Sequence, residues 1–323
     1  MKRFYLGLFV ILLFLVCGGA FSAEKNGPEN TPSLANPYVN SYPFKSVIIK
    51  FKNTTKYGHG GKDMSTYDGT EVMYIEGQKT AYEIKMTAPA PKGETKQIDR
   101  VQVITPDYIY YIDRAEDRGI KVNNAKKYGN EKYEKLTLEE KMAFHDRMER
   151  RGIVSLDLLG LGKKVGTDKI LGRECDVYEY GEKPTDENFM AAVQAEIPPP
   201  YYKKSWIWRE AKLPLKVITE QMGSQSELTA IDIEENVDIP AARFEIPEGI
   251  RMAFDEDASE GAKKETLARF NLYKTGQAMM LRIKPETEQV LTPEGKWIPS
   301  DSPEGKKILE DQKGKTETSS KSE

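Results

Sequence analysis

The sequence predicts a mainly β protein of the α+β kind, an antiparallel sheet interrupted by helix and preceded by an export leader. Three observations predict it. Short runs of alternating apolar and polar residues recur along most of the chain, joined by connections too short for parallel crossovers. One central stretch changes to a helical period. The first segment carries the charge and hydropathy of a secretory signal. The 323 residues suffice for one large domain or two ordinary ones, and 38% hydrophobic against 31% charged residues fits a single core with exposed extensions. A formal charge of -3 gives no electrostatic reason to expect nucleic acid as a partner.

The leader comes first. Lys2 and Arg3 form a positive start, Phe4 to Val16 is almost unbroken apolar sequence, and Gly18 and Gly19 then break the helix. Ala20-Phe21-Ser22 places small residues where a signal peptidase reads them, so cleavage is expected after Ser22 or Ala23 and the mature protein in the periplasm. Two other readings compete. An uncleaved anchor would need about 20 apolar residues, and an acylated Cys17 would need a small residue before it, where Val16 stands. Once Cys17 leaves with the leader, Cys175 has no intramolecular partner, and a lone cysteine on a β-pattern reads as a small buried hydrophobe rather than a reactive thiol.

Residues 23–43, rich in Asn, Pro, Ser and Gly, read as a flexible lead-in. The sheet begins at Phe44 to Lys52, where Val47, Ile49 and Phe51 share one face. Tyr57 to Asp68 is broken by glycines. Val72-Met73-Tyr74-Ile75 then leads through Glu76-Gly77-Gln78 into a strand aligning Tyr82, Ile84 and Met86. Val101 and Val103, then Tyr108, Tyr110 and Ile112, then Ile120-Lys121-Val122 complete a meander. Thr137-Leu138-Glu139-Glu140 is a capping box, and the helix it opens should run to about Arg151 with Leu138, Met142, His145 and Met148 in one stripe. The apolar run Ile153 to Leu161 is too short to span a bilayer and should pack on the sheet. Further strands follow at Cys175–Tyr178, Ser205–Trp208, Leu215–Thr219 and Thr229–Ile233, around an insertion over 181–202 with a short helix (Glu187 to Ala195) and Pro198-Pro199-Pro200. Residues 251–300 form an extension with a helix over Ala262 to Tyr273 and a hairpin over Pro293-Glu294-Gly295, and 301–323 reads as a disordered charged tail.

The search for chemistry ends without a catalytic set. Of two histidines, His59 sits in a glycine turn without the neighbours a metal site needs, and His145 reads as a hydrogen-bonded helix residue. No nucleophile elbow, Walker loop or dinucleotide fingerprint is present, so no cofactor and no metal are expected. With 51 acidic residues, two carboxylates meeting in a cleft could still make a hydrolase. The aromatic and methionine residues Tyr74, Tyr82, Tyr108, Tyr110, Trp206, Trp208, Met142 and Met148 fall on strands and on the helix between them. They either fill the core or line an apolar pocket in a sheet curling round the helix.

The second half carries a recognisable series. Gly166 to Tyr178, containing Gly172-Arg173-Glu174-Cys175-Asp176-Val177-Tyr178, is followed by Trp206 to Lys216 with Leu213-Pro214-Leu215-Lys216, and then by Phe244-Glu245-Ile246-Pro247-Glu248-Gly249. This resembles the LolA/LolB-like superfamily of periplasmic outer-membrane lipoprotein carriers, over residues 44–250. Gly172, Cys175, Trp206, Pro214, Phe244 and Pro247 match its motif positions as framework residues. The resemblance implies a curved antiparallel sheet forming an incomplete barrel, with helices on its concave side and lipid or an acylated protein bound in the hollow without catalysis. A protein-interaction or sensor module on the same scaffold, with an envelope protein as partner, is the second reading, and the hydrolase is the third. Neither spacing nor resemblance fixes an oligomeric state.

Overall fold

The computed structural model describes residues 34–57, 65–89, 94–150, 153, 162–194, 199–221, 224–276, 280–284, 287–291, 297–299, 302–308 and 310. The leader, Cys17 and its cleavage site, His59 and the run 154–161 lie outside the described residues. The chain divides into two compact units, one from 40–121 and 155–254, the other from 34–39, 122–154 and 255 onward.

The first unit is built on a twelve-stranded sheet. Its strands in chain order are β1 (Ser46–Tyr57), β2 (Ser65–Glu76), β3 (Lys79–Pro89), β4 (Thr95–Ile104), β5 (Tyr108–Asp113), β6 (Arg118–Asn123), β7 (Lys163–Ile170), β8 (Arg173–Gly181), β9 (Tyr201–Trp208), β10 (Leu213–Gln221), β11 (Ser224–Glu235) and β12 (Arg251–Phe254). In space they run β12-β6-β5-β4-β3-β2-β1-β11-β10-β9-β8-β7, so β7 and β12 are the two ends of an unclosed sheet. Two meanders, β1–β6 and β7–β11, are joined along one antiparallel seam between β1 and β11. A short helix, α3 counted in chain order (Asp186–Gln194), occupies the predicted insertion.

Local chemistry sets the turns. Leu171 and Gly172 both take positive φ (48° and 78°) in the tight β7–β8 hairpin, the backbone of a two-residue primed turn. β2 begins earlier than its apolar pattern does, at Ser65. Its first half is polar, and Gly69 stands where a Cβ would meet the Cβ of Met86 at 2.5 Å. Short connections correctly forecast the antiparallel ladders, and one pairing departs from them: β12 runs parallel to β6, register Arg251 with Arg118. The long connection 236–250 makes this geometry available by carrying the chain from β11 to the far end of the sheet.

Both faces of this sheet carry buried apolar clusters. Val47, Ile49, Phe51, Met73, Ile75, Tyr82, Ile104, Leu228, Ala230 and Trp208 belong to one. Tyr74, Ala81, Val101, Val103 and Ile112 belong to the other, where Ile239 and Phe244 of the 236–250 strap cover them.

The second unit holds α1 (Lys126–Tyr133), α2 (Leu138–Arg150) and α4 (Glu256–Thr275). Its small antiparallel sheet comprises β13 (Met280–Lys284), β14 (Thr287–Leu291) and β15 (Trp297–Pro299). The capping box at the start of α2 is formed: the Thr137 amide donates to Glu140 Oε2 at 2.9 Å and the Glu140 amide to Thr137 Oγ1 at 3.2 Å. The expected stripe is rotated, however. Phe144 and Met148 are the buried side chains of α2, while Leu138 and Met142 are 49% and 50% exposed. Phe144 sits in a ring cluster with Tyr38, Tyr133, Phe270 and Tyr273, and that aromatic cluster fixes which helix face turns inward. Asp255 caps α4 by accepting from the Ala258 amide at 2.9 Å, which extends the helix N-terminally beyond its predicted start.

Candidate functional site

The sheet of the first unit is curled, and the first cluster lies on its concave side. Arg173 on β8 forms an ion pair with Glu235 on β11 although β9 and β10 lie between them. Strands about 4.8 Å apart would hold those positions roughly 14 Å apart in a flat sheet, a gap that only two side chains stretched fully toward each other would span. The same Arg173 stacks on Trp208, 5.1 Å from its ring, and Phe44 lies 5.7 Å from Trp208. Residues from β8, β9 and β11 and from the segment leading into β1 thus meet around Trp208.

On β1 and β2 the concave face is set by register. Val47 faces Ile75, Ile49 faces Met73, and Phe51 faces Glu71. Across the other edge of β2, Met73 faces Tyr82 and Glu71 faces Ile84. Glu71 thus occupies a position that alternation assigns to an apolar residue, in phase with Met73 and Ile75. It is 2% exposed, and its Oε2 has no hydrogen-bond partner among the described residues. Burial alone pushes its carboxyl up to about 7. One step further along β1 the face turns polar. Asn53 and Thr55 are buried, and the Asn53 Oδ1 accepts from Thr55 Oγ1 at 3.3 Å and Ser226 Oγ at 3.4 Å.

The predicted aromatic and methionine set is divided by the fold. Tyr82 and Trp208 enter the concave cluster, and Trp206 packs against it. The Trp206 indole lies between Lys204 and Lys216, at 5.5 and 5.3 Å, and donates from Nε1 to Asp168 at 3.0 Å. Tyr74 and Tyr110 are in the outer cluster under the strap, and Tyr108 lies beside Tyr110 beneath the ammonium of Lys121, 3.5 Å from the Tyr108 ring. Met142 and Met148 belong to α2 in the other unit. Sequence reasoning missed Glu71. Its phase with Met73 and Ile75 was the available signal, masked by the polar residues before it.

The framework positions sit as follows. Cys175 is fully buried, its thiol pushed up to about 11 by burial while it donates to the Arg173 carbonyl at 3.5 Å. Pro214 adjoins a bulge in the β9–β10 ladder, Gly172 makes the β7–β8 turn, Phe244 anchors the strap, and Pro247 is half-buried within it. His145 is held by the Tyr133 hydroxyl at 2.6 Å from Nε2, and burial lowers it to about 4, leaving the ring neutral near pH 7. Among the described residues no group of three His, Cys, Asp or Glu side chains could hold a metal ion, and no helix is long and apolar enough to cross a membrane.

No family model and no curated protein matches the sequence. Solved structures resemble it in fold. An uncharacterised conserved protein of Thermus thermophilus is 8% identical over 64% of this chain and 90% of its own, with a TM-score of 0.32. A DUF1329 family protein of Desulfovibrio piger is 12% identical over 63% of this chain and 90% of its own, with a TM-score of 0.28. A LolA superfamily protein of Nitrosomonas europaea is 10% identical over 65% of this chain and 94% of its own, at a TM-score of 0.26.

Proposed function

We propose that the protein is a non-enzymatic periplasmic binder of a lipid or lipid-modified partner, held against the concave face of the curled sheet. The observation that carries this reading is the continuous apolar wall formed by Val47, Ile49, Phe51, Met73, Ile75, Tyr82 and Trp208 on the inner side of a sheet that does not close on itself. Such a wall suits an alkyl chain, whose transfer from water contributes about 0.8 kcal/mol per CH₂. Native mass spectrometry of the full-length protein purified from membranes tests the reading. The expected spectrum shows the protein mass plus a lipid-sized increment that is lost on delipidation. Protein that carries no increment after gentle extraction, and takes none up from added phospholipid vesicles, would reject it.

A second reading has one observation in its favour. β7 ends the sheet with seven of its eight residues exposed, so its outer backbone edge is available for a partner's strand. On that reading the protein is an envelope interaction module. Lys163 to Ile170 would then gain hydrogen-exchange protection in the presence of cell-envelope extract, with no lipid required.

A further inference from the structure

We propose that Lys203, at one rim of the concave face, is the centre of an oxyanion subsite that takes a phosphate or carboxylate group. The inference deepens the lipid-binding reading above and rests on it for the source of that group, the head of an acidic amphiphile.

Lys203 stands near the start of β9, on the rim where β8 ends at Gly181 and the β10–β11 hairpin turns between Gln221 and Ser224. Register puts Tyr180 of β8 and Thr219 of β10 on either side of it, with Ser226 and Thr55 next along the same face. The interior of that face is closed, since Ile49, Phe51, Met73 and Tyr82 are buried. The rim is not. Lys203, Tyr180, Tyr201, Thr219, Gln221 and Ser226 are all half-buried and keep surface of their own.

Lysines on the outer face of this sheet are matched by carboxylates. Lys50 pairs with Asp232 at 2.8 Å, Lys204 with Glu179 at 2.8 Å and Lys216 with Glu227 at 2.6 Å. Lys203 follows the opposite phase to Lys204, and there the sheet brings it no acid. Among the described residues none gives it a hydrogen bond or an ion pair. Asp176, in phase with Tyr180 but four residues along β8, is taken by Lys164 at 2.9 Å and Arg209 at 3.0 Å. Glu71 lies four strands away. Ser205, next in phase on β9, is buried with its own Oγ unpartnered. A lysine that only packed its stem and sent its head to water would keep its ordinary value, whereas burial draws this amine below 10.5. An anion beside the ammonium would offset that desolvation. The groups around it can add to the same recognition. The rings of Tyr180 and Tyr201 lie 6.5 Å apart beside the lysine, and burial pushes the Tyr201 hydroxyl up to about 12, so it remains a donor near neutrality. Thr219 supplies another hydroxyl across the ladder. A cation set among neutral hydroxyls, with no carboxylate of its own, favours a negatively charged acceptor and disfavours a cationic head.

Three probes separate the possibilities: dodecyl phosphate, dodecyltrimethylammonium and inorganic phosphate, the first two below their micelle concentrations. They are titrated calorimetrically into the full-length protein and its Lys203→Met and Lys203→Arg variants. The wild type should bind dodecyl phosphate at least about tenfold more tightly than dodecyltrimethylammonium, the size of one hydrogen bond to a charged group. Lys203→Met keeps the stem and removes the charge, so it should bring the two amphiphiles to within about twofold of each other. Lys203→Arg should keep most of the preference. Acetylation of the wild type, read by peptide mass spectrometry, gives a check that needs no variant: Lys203 should be modified in the free protein and protected by dodecyl phosphate, with Lys204 unaffected by it. Equal binding of the two amphiphiles, an unprotected Lys203, or a phosphate preference that persists in Lys203→Met would overturn the subsite and leave the lipid reading standing. Inorganic phosphate bound as tightly as dodecyl phosphate, and lost in Lys203→Met, would keep the oxyanion subsite and remove its lipid source. If the wild type binds none of the probes, the subsite and the lipid reading fall together.

Discussion

Glu71 and Glu83 lie on adjacent strands and face opposite sides of the same sheet, Glu71 beside Phe51 and Ile84, Glu83 beside Val72. On the outer side, Glu83 accepts a hydrogen bond from Arg243 of the strap at 2.6 Å and has Arg114 at 3.7 Å. Arg243 also lies over the ring of Tyr74, at 5.1 Å. The chain itself has finished the outer face, with a strap whose Ile239 and Phe244 supply apolar cover and whose arginine supplies a counter-charge. The concave side is also packed with buried apolar residues, yet there a carboxyl oxygen is left without a partner among the described residues. The contrast teaches that an acidic residue between buried strands is tolerated readily when the fold brings it a cation. The missing cation at Glu71 is a property of one face.

Four changes test how far the two faces differ. The largest effect is expected from Trp208→Ala, which empties the junction between Phe44, Arg173 and the two meanders. It should cost about 3–5 kcal/mol in urea denaturation as one cooperative loss. Phe244→Ala should cost about 3 kcal/mol or less, because the strap can lift without opening the ladders. Hydrogen exchange should then quicken over 236–250 and leave β1–β3 protected; global acceleration would show that the strap is part of the cooperative core.

Glu71→Leu should act in the opposite direction. The folded carboxyl titrates near 7, above its ordinary value of 4.5, so the native state holds its proton more tightly than the unfolded chain does. Wild-type stability from this group is therefore greatest below 4.5, falls as pH rises between 4.5 and 7, and levels off above. Glu71→Leu should remove that fall and gain on the order of 2–3 kcal/mol at about pH 8 relative to its effect at about pH 4. A wild-type stability profile that is parallel to the variant's across this window would mean that the carboxyl is not desolvated. The smallest effect belongs to Arg243→Ala. Its guanidinium is 43% exposed, so losing the pair with Glu83 should cost about 0.2–1 kcal/mol, detectable as a small shift in the urea midpoint.

Much of the sheet was legible from the sequence because alternation and turn residues report on short range. Val47, Ile49 and Phe51 gave the inward phase of β1, and Gly77 with its positive φ marked the β2–β3 turn. The capping box located α2. What stayed hidden depended on partners distant in sequence. α1 is polar and contains Gly129, and its place becomes intelligible only with the Tyr38 ring lying where a Gly129 side chain would go. The inward face of α2 is chosen by Phe270 and Tyr273 of α4, so Leu138 and Met142 turned out exposed despite their spacing. Of the residues on the concave face, Tyr82 and Trp208 were named for their types, whereas Glu71 was passed over since acidic residues are rarely buried unpaired.

The seam between β1 and β11 has a consequence for how the molecule is made. Each meander can assemble from neighbours close along the chain, and such pairings form quickly. The β1–β11 ladder must wait until nearly the whole of this unit exists, and loop closure over that distance is slow. During that interval β1 presents an unpaired edge rich in β-branched and aromatic residues, the kind of edge on which chains associate wrongly. The protein should therefore be most vulnerable to aggregation while it is being synthesised or refolded, and a slow final folding phase should report the closing of this single ladder.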